Sequence, residues 1–152
     1  MSDKSNAIAA LEAARKQTLE TISGIPDEKM AVAAFGSWSV KDVLCHFASW
    51  EQFATADLGR VRKGHIPQLA TFHLDDVDDW NAWLMRSRNL FPLSQVKAEL
   101  EESRAQFRAA LDDLPDNLFA PGQVVRRLLD ALTMGELHHA EEIRGWRQQQ
   151  GV

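Results

Sequence analysis

The sequence predicts an all-α fold: a four-helix bundle in which one long crossover, carrying a short extra helix, joins the second long helix to the third. Three observations predict it. Apolar residues recur with helical spacing in four long stretches. There is no tyrosine, and no alternating Val/Ile/Thr run bounded by turns to suggest strands. Apolar residues at 45% and charged residues at 26% of 152 residues are the balance of a globular protein, large enough to bury a sizeable core. A single domain over residues 1–152 is expected.

The first helix is expected over 3–23, where Ala, Glu, Lys, Gln and Leu dominate and Ile8, Leu11, Leu19 and Ile22 are spaced for one apolar face. Gly24 and Pro26 end it. Residues 27–37 are short and mixed and read as a loop with room for one turn of helix.

The second helix is expected over 39–58. Ser39 followed three residues later by Asp42 has the form of a capping box ahead of an apolar run. At about 100° per residue, Val40, Val43, Phe47, Trp50, Ala54 and Leu58 share a face, with Leu44 at one border. His46 stands at the other border, beside Trp50 and Phe53. Such a histidine is more often a hydrogen-bonded structural residue than a ligand, and it becomes a site only with partners from elsewhere. Cys45 and His46 are adjacent, so their side chains diverge and make a poor thiolate–imidazole pair. Cys45 reads as structural or as an interface contact.

Gly59 and Gly64-His65-Ile66-Pro67 open an irregular connection in which His65 and His73 read as solvated. The acidic run Asp75-Asp76-Val77-Asp78-Asp79 precedes a short helix expected over 76–89, where carboxylates complement the N-terminal dipole. The run lacks the spacing and the glycine of an EF-hand, so capping explains it better than a cation does. Pro92 and Ser94 start a third long helix over 94–114. Its seam is Val96, Leu100, Phe107, Leu111 and Leu114, and Glu99, Glu101, Glu102, Arg104 and Arg108 decorate the other faces. The last helix is expected over 123–149, with the seam Val125, Leu128, Leu132, Glu136, His139, Ile143, Trp146. Glu136 and His139 stand where apolar residues belong. Burying them calls for hydrogen bonds, pairing or a metal, and His46 is the candidate partner across the core. His138 faces away from the seam, and Glu142 lies at its border.

A formal net charge of −5 gives no positive field for phosphate backbones or anionic lipid, so nucleic acid is excluded as a partner. The N-terminal residues lack the basic and apolar regions of a signal peptide, and no stretch reaches the ~18 apolar residues of a membrane span. A single cysteine cannot form an intrachain disulfide and suits a reducing compartment. A cytoplasmic protein is expected.

Four blocks of sequence carry a family resemblance. They are Trp38-Ser39-Val40-Lys41-Asp42-Val43-Leu44 with His46, Trp50 and Glu51; Val77 with Trp80-Asn81; Ser103-Arg104 with Leu114-Pro115-Asp116; and His139-Ala140-Glu141-Glu142-Ile143-Arg144 with Trp146. With these the chain resembles the DinB-like superfamily and, within it, the four-helix bundle proteins of the ClbS/DfsB type. The resemblance implies a divalent metal held by one histidine of the second helix and two, four apart, of the last. His46 and His139 match two of the three, and Gly135 stands where the other histidine belongs. Glu136 is the neighbouring donor, and two histidines with one carboxylate suit zinc, nickel or iron. ClbS-type proteins are in general not metal enzymes; they are associated with protecting the producing cell from reactive small molecules. The resemblance also implies a homodimer, for which Leu44 and Cys45, off the main stripe, offer apolar surface.

Two functions compete. In one, a bundle-core pocket with His46, Glu136 and His139 acts on a reactive small molecule, as a hydrolase or transferase, with or without a metal. In the other, the chain is a non-catalytic small-molecule binding or interaction module with a degenerate metal site. Trp50 and Trp146 flank the polar cluster in either case, with Glu142 beside it, and aromatic walls line apolar pockets.

Overall fold

A computed structural model describes residues 1–152. The order of elements is α1 (Asp3–Ile22), α2 (Asp27–Met30), β1 (Ala33–Phe35), β2 (Trp38–Ser39), α3 (Val40–Arg62), α4 (Leu74–Arg88), α5 (Leu93–Asp112) and α6 (Val124–Gln150), with 3-10 turns at Gln68–Thr71 and Asp116–Phe119. The all-α expectation holds, and the ends of the long helices fall close to those read from the sequence. The segment 27–37 differs from the expected loop: beyond the single turn α2, Ala33 pairs with Ser39 and Phe35 with Trp38 in a two-stranded antiparallel ladder. Its turn, Gly36-Ser37, starts on a glycine at φ +62°, a conformation costly for other residues. Two short strands leave no periodicity to detect.

The chain gathers into two compact units, one made of Met1–Met30 and Pro115–Val152, the other of Ala31–Leu114. In the first, α1 packs on α6. Arg15 reaches Glu136, and further along Arg147 donates to the carbonyls of Thr21 and Ser23, so the two helices run in the same direction. The buried residues of α1 are Ala7, Ile8, Leu11, Ala14, Arg15, Thr18 and Ile22. Leu19, expected on that face, is exposed. On α6 the buried line is Val125, Leu129, Glu136, Ala140, Ile143 and Trp146, so Leu129 replaces the expected Leu128. His139 is half-buried at the edge of that line rather than within it.

In the second unit α3 packs on α5. Lys41 donates to the carbonyls of Asn89 and Phe91, Glu51 meets Ser103 and Arg104, and Arg62 meets Asp113, so this pair is parallel as well. A parallel pair needs a crossover, and α4 is part of it. The capping box at the start of α3 is present: Ser39 Oγ accepts from the Asp42 N–H, and Asp42 Oδ2 accepts from the Ser39 N–H at 2.8 Å. All six residues of the expected α3 face are buried. Leu44 and Cys45, expected at the surface as apolar contacts for a second copy, are buried too, at 0% and 3% exposure. They belong to the core of the helix instead. On α5 the expected seam from Val96 to Leu114 is buried, and fully burying a ring such as that of Phe107 contributes ~1.5–3 kcal/mol.

Candidate functional site

Each unit buries one carboxylate against one guanidinium. In the first, Arg15 Nε donates to Glu136 Oε1 at 2.6 Å, with both side chains almost fully buried. In the second, Arg104 Nε donates to Glu51 Oε1 at 2.8 Å and Ser103 Oγ to Glu51 Oε2 at 2.9 Å. Arg104, expected on an outer face of its helix, is therefore a core residue, because a buried carboxylate draws it in. Ser103-Arg104 and Glu51 are thus one contact seen in two places in the sequence. The signal was available: at about 100° per residue Glu51 falls close to Val40 and Leu58 on the apolar face.

The second unit also carries a row of rings. It starts at Trp38, whose centroid is 5.2 Å from that of His46, and continues from His46 to Trp50 at 6.3 Å. Trp50 meets Phe53, Phe72 and Trp80 at 6.0–6.5 Å, mostly edge to face. Phe53 lies 5.0 Å from Trp80, which stacks on Trp83 at 5.1 Å. These are favourable aromatic geometries. The strand β2, the helices α3 and α4 and the connection between those helices supply the rings. Asp57, fully buried, positions that connection: its two carboxylate oxygens each accept a main-chain N–H, from Gln68 and Leu69, at 2.8 Å. At the far end of α4, Arg88 donates to Ser49 and to Gln52 of α3. His46 and Trp50 were singled out from the sequence, and Phe53 was noted beside them. Trp80 entered only as part of a family block, and Phe72 and Trp83 were not singled out, although Trp80 and Trp83 lie three apart on a helix, a spacing that puts them side by side.

In the first unit, Trp146 is buried with Ile143 and Ala140 along α6. Glu142 is exposed, and its two oxygens serve two imidazoles, His139 Nδ1 at 2.9 Å and His138 Nε2 at 3.3 Å. Glu136, the carboxylate of the implied ligand set, does not suit a divalent ion as it is placed. Glu136 is held by a guanidinium, whose positive charge opposes a second cation at the same oxygens. In neither unit do three or more His, Cys, Asp or Glu side chains gather as a ligand set. In the second unit, burial pushes the Cys45 thiol above its ordinary range, with Arg88 pulling the other way.

Parallel helix pairs, a crossover and a row of ring contacts define an all-α protein with an aromatic cluster on α3 and α4. The chain belongs to the DinB superfamily, whose model matches residues 10–144. A solved structure of an uncharacterised protein from Escherichia coli UTI89 shares the fold, with a TM-score of 0.79 over 98% of this chain and 95% of that one at 15% identity. No curated protein matches. No helix is long and apolar enough to cross a membrane.

Proposed function

We propose that the chain binds a reactive, largely apolar small molecule against the aromatic row of α3 and α4, and acts on it with His46 as acid or base in a detoxification or self-protection role. The observation that carries this is the unbroken ring contact from Trp38 through His46 and Trp50 to Trp83. Aromatic faces bind apolar ligands with few polar groups fixing orientation, and an imidazole is the side chain best suited to proton transfer near neutral pH. The reading includes no resident metal, for the reason of charge given above. A second reading, a binding module without chemistry, is supported by the buried carboxylates: Glu51 and Glu136 are both engaged by arginines.

One titration separates the readings. Tryptophan emission is followed as an aromatic epoxide is added, and hydrolysis is followed by chromatography. Catalysis predicts saturable quenching with accelerated hydrolysis that falls by ~100-fold or more in His46→Ala, while quenching persists. Saturable quenching without acceleration leaves the binding module. Absence of saturation with a panel of such aromatics removes both.

A further inference from the structure

The aromatic row contains two indole N–H groups with different fates. Trp50 Nε1 donates to Asn81 Oδ1 at 2.8 Å. Trp80 Nε1 is shielded from water and has no hydrogen-bond partner. The Trp80 ring meets those of Trp50, Phe53 and Trp83, none of which offers an acceptor oxygen. An indole nitrogen can only donate, and a desolvated donor without an acceptor is disfavoured enough that proteins rarely keep one without a use. The element that carries it is thinly attached: of the fifteen residues of α4 only Leu84 is fully buried, and Trp83 is half exposed. Its side-chain hydrogen bonds to α3 come from Arg88 at its end and from Asn81.

We infer that the Trp80 indole N–H is the polar anchor of the aromatic site, and that the ligand is a flat apolar molecule bearing a carbonyl-type oxygen that accepts from it. The inference rests on the binding reading above and adds the chemical feature the ligand must carry. A ligand enters by a small displacement of α4 against α3, its apolar frame lying on the rings of Trp50 and Phe53. Its oxygen takes the place that Asn81 Oδ1 has at Trp50. One of the two indoles is thus satisfied by the protein and the other by the ligand.

The test uses the intact chain and two probes of nearly the same shape, 2-acetylnaphthalene and 2-isopropenylnaphthalene, which differ in the oxygen. Binding is read by tryptophan quenching, and the indole N–H resonances by nitrogen–proton correlation spectra. The ketone is expected to bind about tenfold more tightly than the hydrocarbon, a gap of about 1.4 kcal/mol, and to move the Trp80 indole resonance downfield. In Trp80→Phe, which keeps a ring, the two probes should bind alike. Equal binding of both probes to the unaltered chain overturns the anchor and leaves the aromatic site standing. A tenfold gap that survives in Trp80→Phe also overturns it, since the acceptor is then met elsewhere. If neither probe binds, the binding reading fails and the anchor fails with it.

Discussion

Glu51 shows at a single residue how the core is specified. Its carboxylate is nearly fully buried, and Ser103 and Arg104 donate to its two oxygens. Removing the guanidinium leaves a buried charge short of its partner, which costs far more than losing a surface pair. Arg104→Met is therefore expected to lower the unfolding free energy by ~3–5 kcal/mol in urea titrations. A double change of Glu51→Leu with Arg104→Met should recover much of that loss, because an apolar pair needs no partner. A loss below ~1 kcal/mol for Arg104→Met would show that the pair behaves as a solvated one. Cys45 gives a prediction in pH. Burial raises its thiol pKa in the folded chain above the ordinary 9.0, so the folded state keeps a proton that the unfolded chain releases. The stability this contributes is present below the ordinary thiol value and is lost as the pH rises through the raised one. Between pH 8 and 11 the unaltered chain should lose stability more steeply than Cys45→Ala, and parallel slopes would show that the thiol is not protected.

At the level of the elements, the caps and seams were legible because they are local. Ser39 and Asp42 are three residues apart and close their box without help from the rest of the chain, so Ser39→Ala should cost ~1 kcal/mol, within the usual range of a lost N-cap. A thermal midpoint unchanged in that variant would discount the box. The apolar lines of α3 and α5 were read correctly since period 3.6 is a property of sequence. The errors have a common cause. Leu19 lost its place to Arg15 and Thr18, and Leu128 to Leu129, because the chosen face is set by the neighbouring helix, and one-residue shifts keep the spacing plausible. Of the site, His46 and Trp50 were legible on one helix. The contacts of Phe72, Trp80 and Trp83 were not, because a 3-10 turn tied to Asp57 brings the crossover back over α3. No spacing within one element encodes that.

At the level of the molecule, the order of segments has its own consequence. The unit built on α1 and α6 is assembled from residues 1–30 and 115–152, whereas the other is continuous from Ala31 to Leu114. In the first, α1 depends on α6 for the partner of Arg15, at 2.6 Å, and its buried face includes Ile8, Leu11 and Ala14. An isolated helix of this length is marginal in water, since most helical stability comes from packing rather than propensity. A chain ending at Leu114 should therefore lose the helix content of α1 together with that of α6, a loss in the circular dichroism signal larger than the 27 residues of α6 account for. Adding a peptide spanning 115–152 should restore α1. Proton–deuterium exchange resolves where the loss falls: amides between Asn6 and Ile22 should lose protection in the truncated chain and regain it with the peptide. If those amides stay protected without α6, then α1 is held by contacts other than the Arg15–Glu136 pair and the apolar face described for it.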